Sequence, residues 1–210
     1  EIDALGGEMG KAADATALQF KMLNTTKGPG VQCLRVQSDK LAYKRYMQNV
    51  LANQPNLEVR EMMVTDLLAQ DNKVIGILQE NGDSVHAEIV ILTTGTFMSA
   101  TILVGHEATE SGPEGEKTNA TLSASLRELG LRTFRLKTGT PARVRSDSID
   151  FTKTEYQGGT DEFICFSYET TSIRDFSKQY PCYLTYTTKE THEIINQNLT
   201  KSAMYSGMVK

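Results

Sequence analysis

Val64-Thr65-Asp66-Leu67-Leu68-Ala69, Val74-Ile75-Gly76-Ile77-Leu78-Gln79 and Ile89-Val90-Ile91-Leu92-Thr93-Thr94-Gly95 follow one another closely and decide the fold. The first two, with residues 57–62 before them, read as short strands. Asp71-Asn72 and Asn81-Gly82 supply the turns, and residues 85–87 pair back after the second. Together they predict an antiparallel meander. Ile89-Val90-Ile91-Leu92 is then apolar without alternation, the pattern of a strand buried on both faces of a parallel sheet. Ligands of open α/β sheets gather at the carboxyl ends of strands, which makes Thr94 and Gly95 candidate contacts. Glycine there admits close backbone approach without a β-carbon clash, although a strand turning into a loop gives the same residues.

Working outward, Ile2, Leu5, Met9, Ala12 and Ala13 fall near helical spacing. Gly6-Gly7 suits a place where backbone must come close to a neighbour. Residues 18–23 alternate as a strand, and the breaker-rich loop Thr25-Thr26-Lys27-Gly28-Pro29-Gly30 follows. Ser38 can cap a helix running to about Asn53, with Tyr43, Tyr46, Met47, Val50 and Leu51 inward and Pro55 closing it. Downstream, Ser111-Gly112-Pro113-Glu114-Gly115-Glu116-Lys117 is a polar loop. Leu122, Leu126 and Leu129 mark an amphipathic helix stopped by Gly130. Residues 131–136 read as a strand leading into Lys137-Thr138-Gly139-Thr140-Pro141. Thr187 and Glu190 have capping-box spacing ahead of Ile194, Ile195 and Leu199. The change of texture after Phe97 puts a domain boundary near residue 98.

The 210 residues fit one large domain or parts of two, and 39% hydrophobic with 23% charged residues is ordinary for a globular protein. No apolar run approaches the ~18 residues of a membrane span. A start at Glu1 and the lack of a signal segment give the expectation of an internal piece of a longer cytosolic protein. The three cysteines form no CxxC pair, so neither a zinc site nor a disulfide framework is expected. His86, His106 and His192 have no short-range ligand partner and read as ordinary histidines. The net charge of −4 argues against a simple basic nucleic-acid module. Residues 121–153 nevertheless carry seven basic side chains against three acidic, either a phosphate-facing stretch or a solvated face.

Several further blocks stand in a fixed order: Glu1-Ile2-Asp3-Ala4-Leu5-Gly6-Gly7-Glu8-Met9, Leu23-Asn24-Thr25-Thr26-Lys27-Gly28-Pro29, Thr93-Thr94-Gly95-Thr96-Phe97 and Arg135-Leu136-Lys137-Thr138-Gly139-Thr140-Pro141. Tyr180-Pro181-Cys182-Tyr183-Leu184-Thr185-Tyr186-Thr187, Lys189-Glu190-Thr191-His192-Glu193 and Met204-Tyr205-Ser206-Gly207-Met208 complete them. In these blocks the chain resembles the large flavoprotein subunit that modifies the wobble uridine of tRNA, the GidA or MnmG family, over nearly its whole length.

That resemblance implies an α/β fold. Residues 1–98 would be the later part of a Rossmann-like, glutathione-reductase-type FAD-binding domain with its β-meander. Residues 99–210 would belong to an inserted α+β domain on the NADH and substrate side. It implies FAD as cofactor, NADH as reductant, methylenetetrahydrofolate as one-carbon donor, tRNA as substrate and a partner GTPase of the MnmE type. A homodimer within a heterotetramer, in the cytoplasm, is the implied assembly. Val64 matches a valine whose backbone meets the adenine part of FAD, and Asn119 stands where the family has a serine contact.

The chain lacks a G-x-G-x-x-G phosphate loop. The two cysteines that the family uses fall before the first block and after the last, so the resemblance places no catalytic residue in this chain. Gln32 stands where the family has arginine and Cys33 where it has a small residue; Pro113-Glu114-Gly115 departs from a Gly-Arg pattern. Cys182, between Tyr180-Pro181 and Tyr183-Leu184, reads as a core residue rather than a nucleophile. Lys137, Thr138, Gly139, Thr140 and Arg143 offer donors to NADH or tRNA phosphates, or else form a tight turn with solvated charges. The alternatives are another two-domain flavoprotein, such as a folate- and FAD-dependent tRNA methyltransferase or a disulfide reductase, and a non-catalytic binding fragment.

Overall fold

The computed structural model describes residues 2–173 and 175–206. Glu1 of the first block and Gly207-Met208 of the last lie outside them. In chain order the elements are α1 (Met9–Ala15), β1 (Ala17–Leu23), β2 (Cys33–Ser38), α2 (Lys40–Asn53), β3 (Val64–Gln70), β4 (Lys73–Gln79) and β5 (Ser84–His86). Then come β6 (Thr101–Val104), β7 (Glu107–Glu110), α3 (Thr121–Glu128), β8 (Glu155–Gln157), β9 (Cys182–Leu184) and α4 (Lys189–Gln197), with short 3₁₀ turns between. They fall into two compact units, residues 1–59 with 143–186 and residues 60–142 with the stretch from 187 onward. Residue 98 lies inside the second.

The first unit is organised by β1 and β2, paired antiparallel with Phe20 opposite Val36, Lys21 opposite Arg35 and Met22 opposite Leu34. Alternation turns Phe20 to the apolar side, where it is 1% exposed and its ring lies 5.4 Å from that of Phe176. The outer edge of β1 is closed by loop backbone: Thr160 N–H donates to the Phe20 carbonyl at 2.8 Å and Tyr180 N–H to Leu18 at 2.9 Å. Buried Asp14 on α1 accepts from Phe166 N–H, Ser167 N–H and the Thr170 hydroxyl, all within 3.1 Å. These bonds fasten residues 166–170 to α1. Helix α2 is capped by Asp39, whose carboxylate accepts Ala42 N–H at 2.8 Å, one residue later than expected. Ser38 is unavailable because it is still paired with Ala17 as the last residue of β2. Tyr43, Tyr46, Met47 and Val50 of α2 are half-buried, but Leu51 is exposed.

The second unit is built on the expected meander, β3–β4–β5. Asp71 and Asn72 both have positive φ, 48° and 60°, the primed turn that matches strand twist. Gly76 in β4 is required by packing: a β-carbon there would lie 2.2 Å from the Val85 carbonyl oxygen of β5. Helix α3 covers β3 with buried Leu122 and Leu126, each worth about 1.5–3 kcal/mol. Its Ser125 hydroxyl accepts Leu67 N–H at 3.2 Å.

Several expectations need correction here. Residues 57–62 form no strand, because Met63 alone separates them from β3 and a hairpin needs at least a two-residue turn. Ile89-Val90-Ile91-Leu92 is likewise not a strand; Ile89 and Ile91 are 79% and 81% exposed. A strand buried on both faces needs neighbours on both edges, and among the described residues every paired strand is antiparallel and lies elsewhere. Residues 131–136 are irregular for the same reason, with Phe134 and Leu136 exposed, and Leu129 too lies open. The α4 cap is Thr188, which exchanges hydrogen bonds with Thr191; Thr187 bonds His192 Nε2 at 2.7 Å instead. Ile194 and Ile195 of α4 are exposed rather than inward. No described helix is long and apolar enough to cross a membrane.

Candidate ligand site around Val64 and Asn119

Val64 opens β3 opposite Gln79. Asn119, on the segment entering α3, reaches it across the unit: the Asn119 Nδ2 donates to the Val64 carbonyl and lies 3.5 Å from Met63 Sδ. Its Oδ1 accepts Leu122 N–H at 3.0 Å and the Thr121 hydroxyl at 3.1 Å. Asn119 thus caps α3 with one end of its amide and holds the start of β3 with the other.

The backbone of Asn119 ties in the third element. Its N–H donates to the Phe97 carbonyl at 2.9 Å, and its carbonyl accepts Ser99 N–H at 2.7 Å, a short parallel bridge centred on Met98. Thr118 reinforces the bridge, its hydroxyl donating to Phe97 O at 2.8 Å and accepting Ala100 N–H at 2.6 Å. Thr94 and Gly95 form the bend just before, closed by Phe97 N–H on the Thr94 carbonyl at 3.3 Å. Gly95 is there for conformation, at φ 56°; a β-carbon would meet nothing nearer than the Phe97 ring at 3.7 Å. The Phe97 ring packs on Gly112, where a β-carbon would lie 2.8 Å from it. Beside Val64, residues Glu61, Met62, Met63, Gln79, Glu80 and Asn81 line a shallow cavity of about 210 Å³.

Val64, Asn119, Thr94 and Gly95 are therefore linked through β3, the bridge and the Phe97 bend. Lys137, Thr138, Gly139 and Thr140 are not: they lie on an exposed irregular stretch with no described hydrogen bond to the other four, and Arg143 is an exposed residue of the first unit. Met63, Phe97, Thr118 and Gly112 were missed in the sequence. Asn119 three residues before Leu122, at the mouth of an amphipathic helix, was the available signal for a capping role.

The three cysteines are free thiols. Cys165 is held above its ordinary pKa by burial, then by the Asp14 and Asp3 carboxylates, a setting opposite to that of a reactive thiolate. Cys182 sits half-buried on β9, its Sγ 3.6 Å from both Gln19 Oε1 and Gln37 Oε1. The described residues contain no group of three metal-ligating side chains.

The profile of the family described as glucose inhibited division protein A matches residues 1–210. The chain is 52% identical, over its whole length, to 34% of a tRNA uridine 5-carboxymethylaminomethyl modification enzyme MnmG from Mycoplasma mycoides. It is 48% identical to 33% of the enzyme of that name from Bacillus subtilis. Aquifex aeolicus GidA in its form I crystal superposes with a TM-score of 0.90 at 42% identity, over 100% of this chain and 36% of that one. The α/β fold is that of GidA, and the chain spans about a third of the length of these relatives. The chain belongs to the glucose-inhibited division protein A, or GidA/MnmG, family.

Proposed function

We propose that the chain is the part of a tRNA-modifying flavoenzyme that receives the adenine end of FAD, at Val64 and the Asn119 bridge. The observation that carries this reading is the convergence of β3, the Phe97 bend and the α3 entrance on Asn119, in a chain whose relatives are named as tRNA uridine modification enzymes. The residues fit that end of the cofactor. The Val64 carbonyl has a second lone pair beyond the one used by Asn119, and the shallow cavity lined by Met62 and Met63 opens alongside. The glycine-rich loop at a helix N-terminus that would hold the diphosphate of the cofactor has no counterpart in this sequence.

In the whole protein the reaction would build a carboxymethylaminomethyl group on the wobble uridine. FAD would supply the redox chemistry when bound, with NADH as reductant and methylenetetrahydrofolate as carbon source. The target base lies in an anticodon loop, accessible without opening a duplex. The chain's own residues would position: Asn119 fixes where the β3 backbone meets the cofactor, and Gly95 shapes the neighbouring bend. Residues 1–98 would belong to the FAD domain and 99–210 to the inserted domain. A cytoplasmic homodimer working with an MnmE-type GTPase completes the reading. The isolated chain would be inactive and bind FAD weakly.

The test is to purify the full-length protein with Val64→Pro or Asn119→Ala, then measure bound FAD and modified uridine in tRNA together. Loss of both in a folded protein supports the reading. Full FAD occupancy in both variants sinks it.

A further inference from the structure

The polar face of the β1–β2 ribbon carries a cluster that the reading above does not use. The register places Gln19 opposite Gln37 and Lys21 opposite Arg35, and alternation puts all four on the side away from Phe20. Two cations directly across a ladder repel each other. Neither has an ion pair among the described residues. Lys21 Nζ donates to Gln157 Oε1 at 2.7 Å and Arg35 Nη2 to Gln19 Oε1 at 3.3 Å, both neutral acceptors. The carboxylate that enters the network, Glu155, accepts from the Gln157 amide at 3.2 Å rather than from either cation. Arg35 Nε is buried with no hydrogen-bond partner. A buried donor left unmade is costly, and a guanidinium cannot escape by losing its proton.

The surroundings are built to hold this pair in place. Gln19 is 1% exposed and uses both ends of its amide. Its Nε2 donates to the Gln157 carbonyl at 3.2 Å and the Tyr180 carbonyl at 3.0 Å, while its Oε1 faces Arg35 and the Cys182 thiol. A buried glutamine thus joins the cations to β8 and β9 and fixes the guanidinium plane.

We propose that Lys21 and Arg35 form a phosphate-binding site, organised by Gln19. The arginine fork matches two phosphate oxygens, and the lysine adds a point charge beside it. The phosphate belongs either to a nucleic-acid backbone or to a small phosphorylated ligand; the nucleic-acid source alone rests on the tRNA reading.

The experiment uses the flavin-loaded full-length protein, so that cofactor phosphates are already in place. Titration calorimetry with inorganic phosphate should show binding that weakens about tenfold or more in Arg35→Gln and in Lys21→Gln, as loss of a charge-assisted hydrogen bond implies. Acetate should bind far less. Affinity for tRNA across several salt concentrations then identifies the source. A log–log slope flatter by about one unit in each variant marks a nucleic-acid phosphate; an unchanged slope with lost phosphate binding marks a small ligand. Both support the site. Wild-type protein that takes up no phosphate, binds acetate equally, or keeps its phosphate affinity in both variants overturns it. Should Arg35→Gln fail to fold, half-buried Lys21 with its single bond keeps the test open.

Discussion

The side-chain amide of Asn119 donates to the main-chain carbonyl of Val64, 55 residues earlier in the chain. The contact joins the entrance of α3 to the start of β3. Removing it with Asn119→Ala in the full-length protein should cost about 1 kcal/mol for the lost cap alone. FAD affinity should also fall severalfold as the β3 start loosens. Asn119→Ser keeps a capping oxygen and should recover most stability but not the reach to Val64. Urea denaturation and FAD titration of both variants check this; equal FAD affinity in all three proteins would detach Asn119 from the cofactor.

Asp14 is a stronger structural commitment. Its buried carboxylate satisfies two backbone N–H groups and one hydroxyl of residues 166–170. Asp14→Ala strands those donors, so a loss of roughly 1–3 kcal/mol per unmade buried bond is expected. Amide exchange at Phe166 and Ser167 should accelerate more than at Phe20. Uniform acceleration across the unit would mean that the loop is not separately latched.

How much was legible follows from what each element needs. The meander was readable because short apolar runs bounded by the turn residues Asp71-Asn72 and Asn81-Gly82 act locally. Asn119 was readable only as a position; its bond to Val64 depends on a pairing that no local pattern specifies. Ile89-Val90-Ile91-Leu92 shows the converse. Its apolar run states what it would be buried in, and the partners are not among the described residues. Caps at Ser38 and Thr187 were misplaced by one residue because strand pairing keeps Ser38 in β2 and a histidine contact takes the Thr187 hydroxyl. The Lys21–Arg35 face was invisible until the register set them opposite each other.

Thiol chemistry separates the three cysteines. Cys33 is exposed, whereas burial and the Asp14 and Asp3 carboxylates hold the Cys165 thiol above its ordinary range. Alkylation at neutral pH should label Cys33 first and Cys165 last. Cys165 should gain reactivity only as the pH rises above the ordinary thiol range, since only thiolate reacts. Mapping labelled peptides over time across several pH values decides; early labelling at Cys165 in folded protein would contradict the burial.

The exposed run at Ile89 and Ile91 predicts opposite outcomes in two settings. In the isolated chain, Ile91→Lys should raise solubility, because it interrupts a contiguous apolar surface. In the full-length protein the same change should destabilise by several kcal/mol if the run becomes a strand buried on both faces. Light scattering of the fragment and thermal melting of the full-length variant test the pair. A harmless Ile91→Lys in both would show that the run stays open.

The last prediction concerns Lys137 and Arg143. The structure leaves both on an exposed irregular stretch, open to a partner from outside the described residues. If that partner is tRNA, Lys137→Glu and Arg143→Glu should weaken binding of every tRNA sequence alike, because phosphate contacts carry no base information. Each lost contact should flatten the salt dependence by about one unit of log–log slope. If the partner is NADH, tRNA affinity should hold while NADH-driven flavin reduction slows. A dispersed, extended stretch suits a long phosphate backbone better than one compact dinucleotide, so the tRNA outcome is expected. Measuring both properties on the same two full-length variants separates the cases, and unchanged behaviour in both assays would reduce the stretch to a solvated face.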